Sequence, residues 1–263
     1  MIIHALVLVA SNLLPSQPPE AVVDRVVDSI TSGPIASDID RLVSFGTRHT
    51  LSRTDSETEG IGAARRWLAS EFERYADEAG REDVTVVLES HTVPADGRRI
   101  FKDAEVVNVV CTIPGSDPAS RDRLYYVIGH YDSRASGAND IEAAAPGAND
   151  DGSGTAVCLA VARALMSEQL ESTVIIMPVA GEEQGLYGAR MHAAQAADAG
   201  KDVRAVLSCD IVGDPTGPGG KEARDRVRVF SEGIPTALLA EEGRAASAGA
   251  ISRRSRRHPR SAG

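Results

Sequence analysis

The sequence is poor in cysteine, in aromatic residues and in basic charge. Cys111, Cys158 and Cys209 are its only cysteines, each set in an apolar run. An odd, sparse set of this kind excludes a disulfide framework and reads as small buried hydrophobes. With 28 Lys and Arg against 38 Asp and Glu, the formal net charge over 263 residues is -10. The general basic footprint needed for phosphate backbones is missing, which argues against nucleic acid as the main partner, whereas acidic side chains can be gathered where a cation sits. A membrane-length apolar run is also lacking. The nearest candidate, Ile2 to Ala10, is too short to span a bilayer. It has roughly the length of a signal-peptide core but no preceding Lys or Arg. The expectation is a secreted or periplasmic chain with residues 1–18 as signal peptide or disordered N-terminus, and a cytoplasmic setting as the alternative. Although only 4% of residues are aromatic, 42% are hydrophobic and 25% charged, an ordinary globular composition.

What is present is regular patterning. Pro19 to Ile30 and Ile61 to Tyr75 read as amphipathic helices, the second with Ile61, Ala64, Trp67, Leu68, Phe72 and Tyr75 at helical spacing. Val84 to Val93 and Val106 to Ile113 read as strands, the first at an edge because polar residues alternate through it. Leu124 to Ile128 is continuously apolar, as expected of a central strand buried on both faces. Beyond it the chain alternates: a polar loop to Gly154, a helix from Thr155 to Glu168, a strand at Val174 to Val179, a helix from Leu186 to Ala197, and a strand at Ala205 to Ile211. This alternation predicts an α/β fold, a three-layer α/β/α sandwich on a mostly parallel mixed sheet. Ligands of such sheets bind beyond the carboxyl ends of the strands.

Those positions carry His130 and Asp132, then Asp150 and Asp151 after the loop, then Glu182 and Glu183, then Asp210. Each alone reads as a turn or a solvated helix start. Four equivalent strand ends bearing such groups read as a metal centre. Imidazole nitrogen together with carboxylate oxygen suits zinc better than calcium or magnesium. One carboxylate can bridge two cations, and of two adjacent glutamates one can bind metal while the other moves protons.

The segments Gly-His-Tyr-Asp-Ser (129–133), Gly-Ala-Asn-Asp-Asp-Gly-Ser-Gly (147–154), Gly-Glu-Glu-Gln-Gly-Leu-Tyr-Gly (181–188) and Cys-Asp-Ile-Val-Gly (209–213) resemble those of the M28 family of zinc metallopeptidases. The resemblance runs over roughly residues 40–235 and takes in Gly46-Thr47-Arg48-His49. It implies the zinc exopeptidase fold, peptide substrates, and removal of N-terminal residues with two zinc ions. By the same resemblance His130 and Asp210 bind the first zinc, Asp150 bridges, Glu183 binds the second, Glu182 is the general base and Asp132 orients His130. It also implies a cis peptide between Asp150 and Asp151.

The sequence departs from that family in one respect. The second zinc of the family takes a further histidine from a Ser-Asp-His-type segment, and none occurs here. Residues 243–263 form a basic low-complexity tail with six Arg and no acid, in which His258 is a poor substitute ligand. The expectation is therefore a peptidase domain over residues 19–242 that is incomplete, in a shortened or frame-altered product, with a doubtful second zinc. A metal-free binding domain and a single-zinc acyltransferase of the glutaminyl cyclase type are the alternatives. Arg48 and His49 read as a solvent-facing loop pair, His91 and His192 as surface residues, Met166 and Met177 as core.

Overall fold

The computed structural model describes residues 19–220 and positions 222–224, 227, 229 and 230. The chain divides into two compact units, residues 1–222 and 223–263. In the second, Val227, Val229 and Phe230 are exposed and outside any strand. The expected signal peptide, the basic tail and His258 lie outside the described residues.

The first unit begins with α1 (Pro19–Ser29), α2 (Ser32–Ser44) and α3 (Gly60–Glu78). In α3 the stripe Ile61, Ala64, Leu68, Phe72 and Tyr75 is buried, as its spacing predicts. The strands β1 (Thr85–Val93) and β2 (Ala104–Ile113) form an antiparallel hairpin. They are followed by β3 (Arg123–His130), α4 (Gly152–Leu165), β4 (Thr173–Val179), the single turn α5 (Glu182–Gly185), α6 (Tyr187–Asp198) and β5 (Asp202–Ser208). Sheet order is β1-β2-β4-β3-β5, with β2 antiparallel to both neighbours and β4, β3 and β5 mutually parallel. Four of these five strands therefore point the same way, and β1 lies at an edge as its alternation predicts.

Two apolar layers separate the sheet from its helices. The larger joins Leu68, Phe72 and Tyr75 of α3 and Cys158 and Leu159 of α4 to Val106, Val109 and Ile176; the smaller joins Tyr126, Ile175, Met177 and Val179 to Ala189 of α6. Each fully buried large side chain here stabilises the fold by about 1.5–3 kcal/mol relative to exposure. Helices on both faces make three layers. Met166 and Met177 are core, as read.

Three expectations are corrected. Leu124 to Ile128 is not sealed on both faces: Tyr125 is exposed, and in the neighbouring β5 Val206 and Leu207 are each 56% exposed. Arg48 and His49 are fully buried rather than solvent-facing. His91 is buried too; Glu89 beside it accepts from His192 on α6, which lies over that face of β1.

Candidate metal centre

The carboxyl ends of β3, β4 and β5 deliver the site. β3 ends on His130, whose Nε2 lies 3.2 Å from Asp150 Oδ1, 3.8 Å from Glu182 Oε2 and 4.0 Å from Asp210 Oδ1. The ring is buried while Asp150 and Asp210 are half-exposed, so the centre opens to solvent on the carboxylate side. The other ring nitrogen, Nδ1, is 3.1 Å from the main-chain carbonyl of Asp132 and 3.5 Å from its Oδ1. A proton on Nδ1 satisfies that carbonyl, and Nε2 faces the three carboxylates.

Asp132 is wholly buried and does more than face His130. Its carboxylate accepts the main-chain N–H of Glu182 at 3.3 Å and of Glu183 at 3.1 Å, and the Thr50 hydroxyl at 3.3 Å. The one Thr50 proton is shared between Asp132 and Gln184 Oε1, and the two amides let Asp132 set the direction in which the Glu182–Glu183 turn leaves β4.

The peptide between Asp150 and Asp151 is cis. The two side chains diverge: Asp150 meets His130 Nε2, whereas buried Asp151 caps α4. Asp151 accepts the N–H of Gly154 at 2.7 Å, of His130 at 3.0 Å and of Ile211 at 3.3 Å. Ligand-capable atoms of His130, Asp151 and Asp210 lie within 4.8 Å of one another. The Asp151 oxygens are engaged by those amides, however, and Asp150 is the carboxylate with oxygens to spare.

Electrostatics at the centre favour a cation. Burial pulls the His130 imidazole down, but the hydrogen bond and charge of Asp132, with Asp151 and Glu182 behind them, hold it up to about 10. Burial pushes Asp151 up to about 7 against the pull of His130 and the two amides. Burial also pushes Glu182 up; His130 opposes this, and the negative charges of Asp132, Glu183 and Asp210 add to it. One imidazole nitrogen and two accessible carboxylates from three chain segments form a donor set that fits a zinc-sized divalent ion.

The expected residues are not all gathered at one point. His130, Asp150, Glu182 and Asp210 converge. Glu183 instead pairs with Arg134, Nε to Oε2 2.5 Å, and its carbonyl accepts from Arg99 at 2.6 Å. Sequence reasoning missed Arg134, the Thr50–Gln184 contact and the buried Arg48. Arg48 Nε donates to Tyr131 O, Nη1 to Leu42 O and Pro146 O, and Nη2 to Gly147 O, at 2.7–3.0 Å. His49 Nδ1 accepts the Leu51 N–H, which puts its proton on Nε2 towards Ala138 O. No local pattern marks these residues, since most of their partners lie far away in sequence.

A largely parallel α/β/α sandwich with an imidazole and carboxylates at successive strand ends is the architecture of metal-dependent exopeptidases and their structural kin. Residues 108–237 match Peptidase family M28. A probable zinc metalloprotease of Leptosphaeria maculans is 45% identical over 219 residues, covering 83% of this chain and 50% of the relative. The chain belongs to peptidase family M28 and spans about half the length of the curated relatives it matches. In fold it is similar to the LapA aminopeptidase of Legionella pneumophila, with TM-score 0.57, 23% identity, and 76% of this chain and 50% of that one covered. It is also similar to glutaminyl cyclase of Porphyromonas gingivalis, with TM-score 0.54, 19% identity, and 71% and 61% covered. At those identities the likeness shows the fold alone.

Proposed function

We propose that the chain carries the catalytic centre of a zinc metallopeptidase that removes N-terminal residues from peptides. The observation that supports this most is the convergence of Asp150, Glu182 and Asp210 on His130 Nε2 at 3.2–4.0 Å. In this reading His130, Asp150 and Asp210 hold a first zinc, and Asp150 with Glu183 a second. Bound zinc supplies Lewis-acid polarisation of the scissile carbonyl and acidifies water.

The remaining work belongs to side chains. Asp132 accepts the amides of Glu182 and Glu183, which aims the Glu182 carboxylate at the same point as the metal donors. Glu182 Oε2 takes the proton of the attacking water and returns it to the departing amine. Burial, which raises its pKa, makes it a better proton acceptor than an exposed glutamate. The apolar segment Ile2 to Ala10 supports an exported setting.

The ion pair between Arg134 and Glu183 favours a second reading, a one-zinc centre performing glutaminyl-cyclase-type acyl transfer, because Glu183 already has a cation partner. Elemental analysis of zinc per chain, run beside release of aniline from aminoacyl anilides and cyclisation of glutaminyl peptides, tests both. Chelator-sensitive aniline release supports the peptidase; cyclisation without hydrolysis would overturn it.

A further inference from the structure

A guanidinium taken fully out of water is costly unless every donor finds an acceptor. Arg48 is wholly buried, yet among the described residues its guanidinium hydrogen-bonds to no carboxylate. Its fork is spent on main-chain carbonyls of three separate segments: Leu42 at the end of α2, Tyr131 just beyond β3, and Pro146 and Gly147 in the loop before α4. Tyr131 stands between His130 and Asp132. Gly147 precedes Asp150 by three residues, and its carbonyl also accepts the Gly152 N–H at 2.9 Å. The main chain repeats the connection: Arg48 N–H donates to Ser133 Oγ at 3.1 Å, Ser133 N–H donates back to Arg48 O at 3.2 Å, and Ser133 Oγ donates to Ala145 O at 2.7 Å.

The loop from Tyr131 to Asp151 contains no helix or strand, apart from a single bridge between Thr47 and Ala145. Secondary structure therefore does not fix the course of the loop between His130 and Asp150. Its ends are tied directly by the bond from His130 N–H to Asp151, and Arg48 adds a second tie from Tyr131 to Pro146 and Gly147. The loop is shaped around the guanidinium: Gly147 has φ +46°, and a Cβ there would lie 2.9 Å from Arg48 Nη2.

We infer that Arg48 is a positioning residue for the metal centre, its guanidinium fork clamping the Pro146–Gly147 turn to Tyr131 and so holding Asp150 opposite His130. The inference rests on the metallopeptidase reading only for the identity of the ion. A lysine keeps the charge but offers one compact ammonium in place of a planar fork, and it cannot reach four carbonyls in this arrangement.

The test compares Arg48→Lys with the parent and with Leu68→Ala, a core substitution in α3 that lowers stability without touching the loop. Zinc affinity is measured by competition with a chromophoric chelator well below the unfolding temperature, and the visible bands of cobalt-loaded protein are recorded. Loss of a residue that orients metal ligands costs about 10–100-fold in metal affinity. That loss, with shifted cobalt bands, is expected in Arg48→Lys and not in Leu68→Ala. Zinc affinity in Arg48→Lys within about threefold of the parent, against that expected range, would overturn the inference, as would an equal loss in Leu68→Ala. Should Arg48→Lys fail to fold, Ser133→Ala replaces it: about tenfold weaker zinc is expected, and parental affinity counts against the clamp. If the parent binds neither ion, the metallopeptidase reading fails by itself. The clamp is then judged by amide exchange in the metal-free protein, where the N–H groups of His130 and Gly152 must exchange faster in the Arg48 or Ser133 variant than in Leu68→Ala; equal rates overturn it.

Discussion

Asp151 Oδ2 accepts the main-chain N–H of His130 at 3.0 Å, tying the first residue of the metal centre to the cap of the helix that follows it. The same side chain caps α4 through Gly154 N–H. Replacement by alanine would leave the buried His130 amide without its partner and remove the cap. A lost cap costs about 1 kcal/mol, and a buried unsatisfied donor about 1–3 kcal/mol. Asp151→Ala should therefore lower unfolding free energy in urea by about 2–4 kcal/mol, even with chelator present. A change under half of that would mean the bond to His130 adds little.

Asp150 and Glu182 face the same imidazole and should answer differently to mutation. Asp150→Ala is expected to strip metal more completely than any other single carboxylate change, since in the proposed centre it serves both ions. Glu182→Gln should keep its metal and lose turnover by about 10²–10⁴-fold, the usual contribution of a general base. Metal content after dialysis and turnover, taken on the same preparations, decide both; a metal-replete Asp150→Ala would make that residue an ordinary turn aspartate.

Glu89 gives a pH signature away from the centre. Burial under α6 pushes its carboxyl up, but hydrogen bonds from His192 and Asn108, the charge of His192 and the contact with His91 together bring it down to about 2, from an ordinary 4.5. A carboxyl depressed in the fold contributes stability above its unfolded value and loses it as pH falls through the folded value. The contribution of Glu89 is thus present above about 4.5 and fades towards about 2. In chelator, the parent's advantage over Glu89→Gln in urea should shrink between about pH 5.5 and pH 3. An advantage that stays constant over that interval would show that Glu89 is not depressed.

Gly154 sits where α4 crosses the ends of β3 and β5. A Cβ there would press on Cys209 O and lie 2.5 Å from Asp151 Oδ2, both held by main-chain contacts. Gly154→Ala should accordingly destabilise by at least the roughly 1–3 kcal/mol typical of overpacking, despite alanine's better helix propensity. A thermal midpoint equal to the parent's would mean the helix can shift without loss.

Much of this was legible in the sequence because strand ends advertise themselves. Apolar runs locate β3 and β4, and the first polar groups after them are His130 and Glu182; Asp210 follows the last run in the same way. The helix α2 was not legible, since Gly33 and Pro34 read as breakers. Both fall in its first turn, where a missing N–H is harmless. Arg48 and His49 were misread because charge and polarity predict exposure. Their burial depends on carbonyls that only the folded chain brings together. β5 is an edge strand whose apolar Val206 and Leu207 are exposed. The pairing of Glu183 with Arg134 depends on a loop conformation that no periodicity encodes.

The reversed direction of β2 has an evolutionary consequence. Because β1 runs parallel to β3 and β4, the hairpin tip between β1 and β2 arrives at the same end of the sheet as the metal donors. Arg99 there reaches Glu183 O, Arg98 O receives Asn139, and Asp96 faces Tyr187. None of the converging donors comes from this hairpin. In the proposed peptidase, bond cleavage would thus be carried by stretches of chain other than this hairpin, whose tip can change in sequence while the donors beside it stay the same.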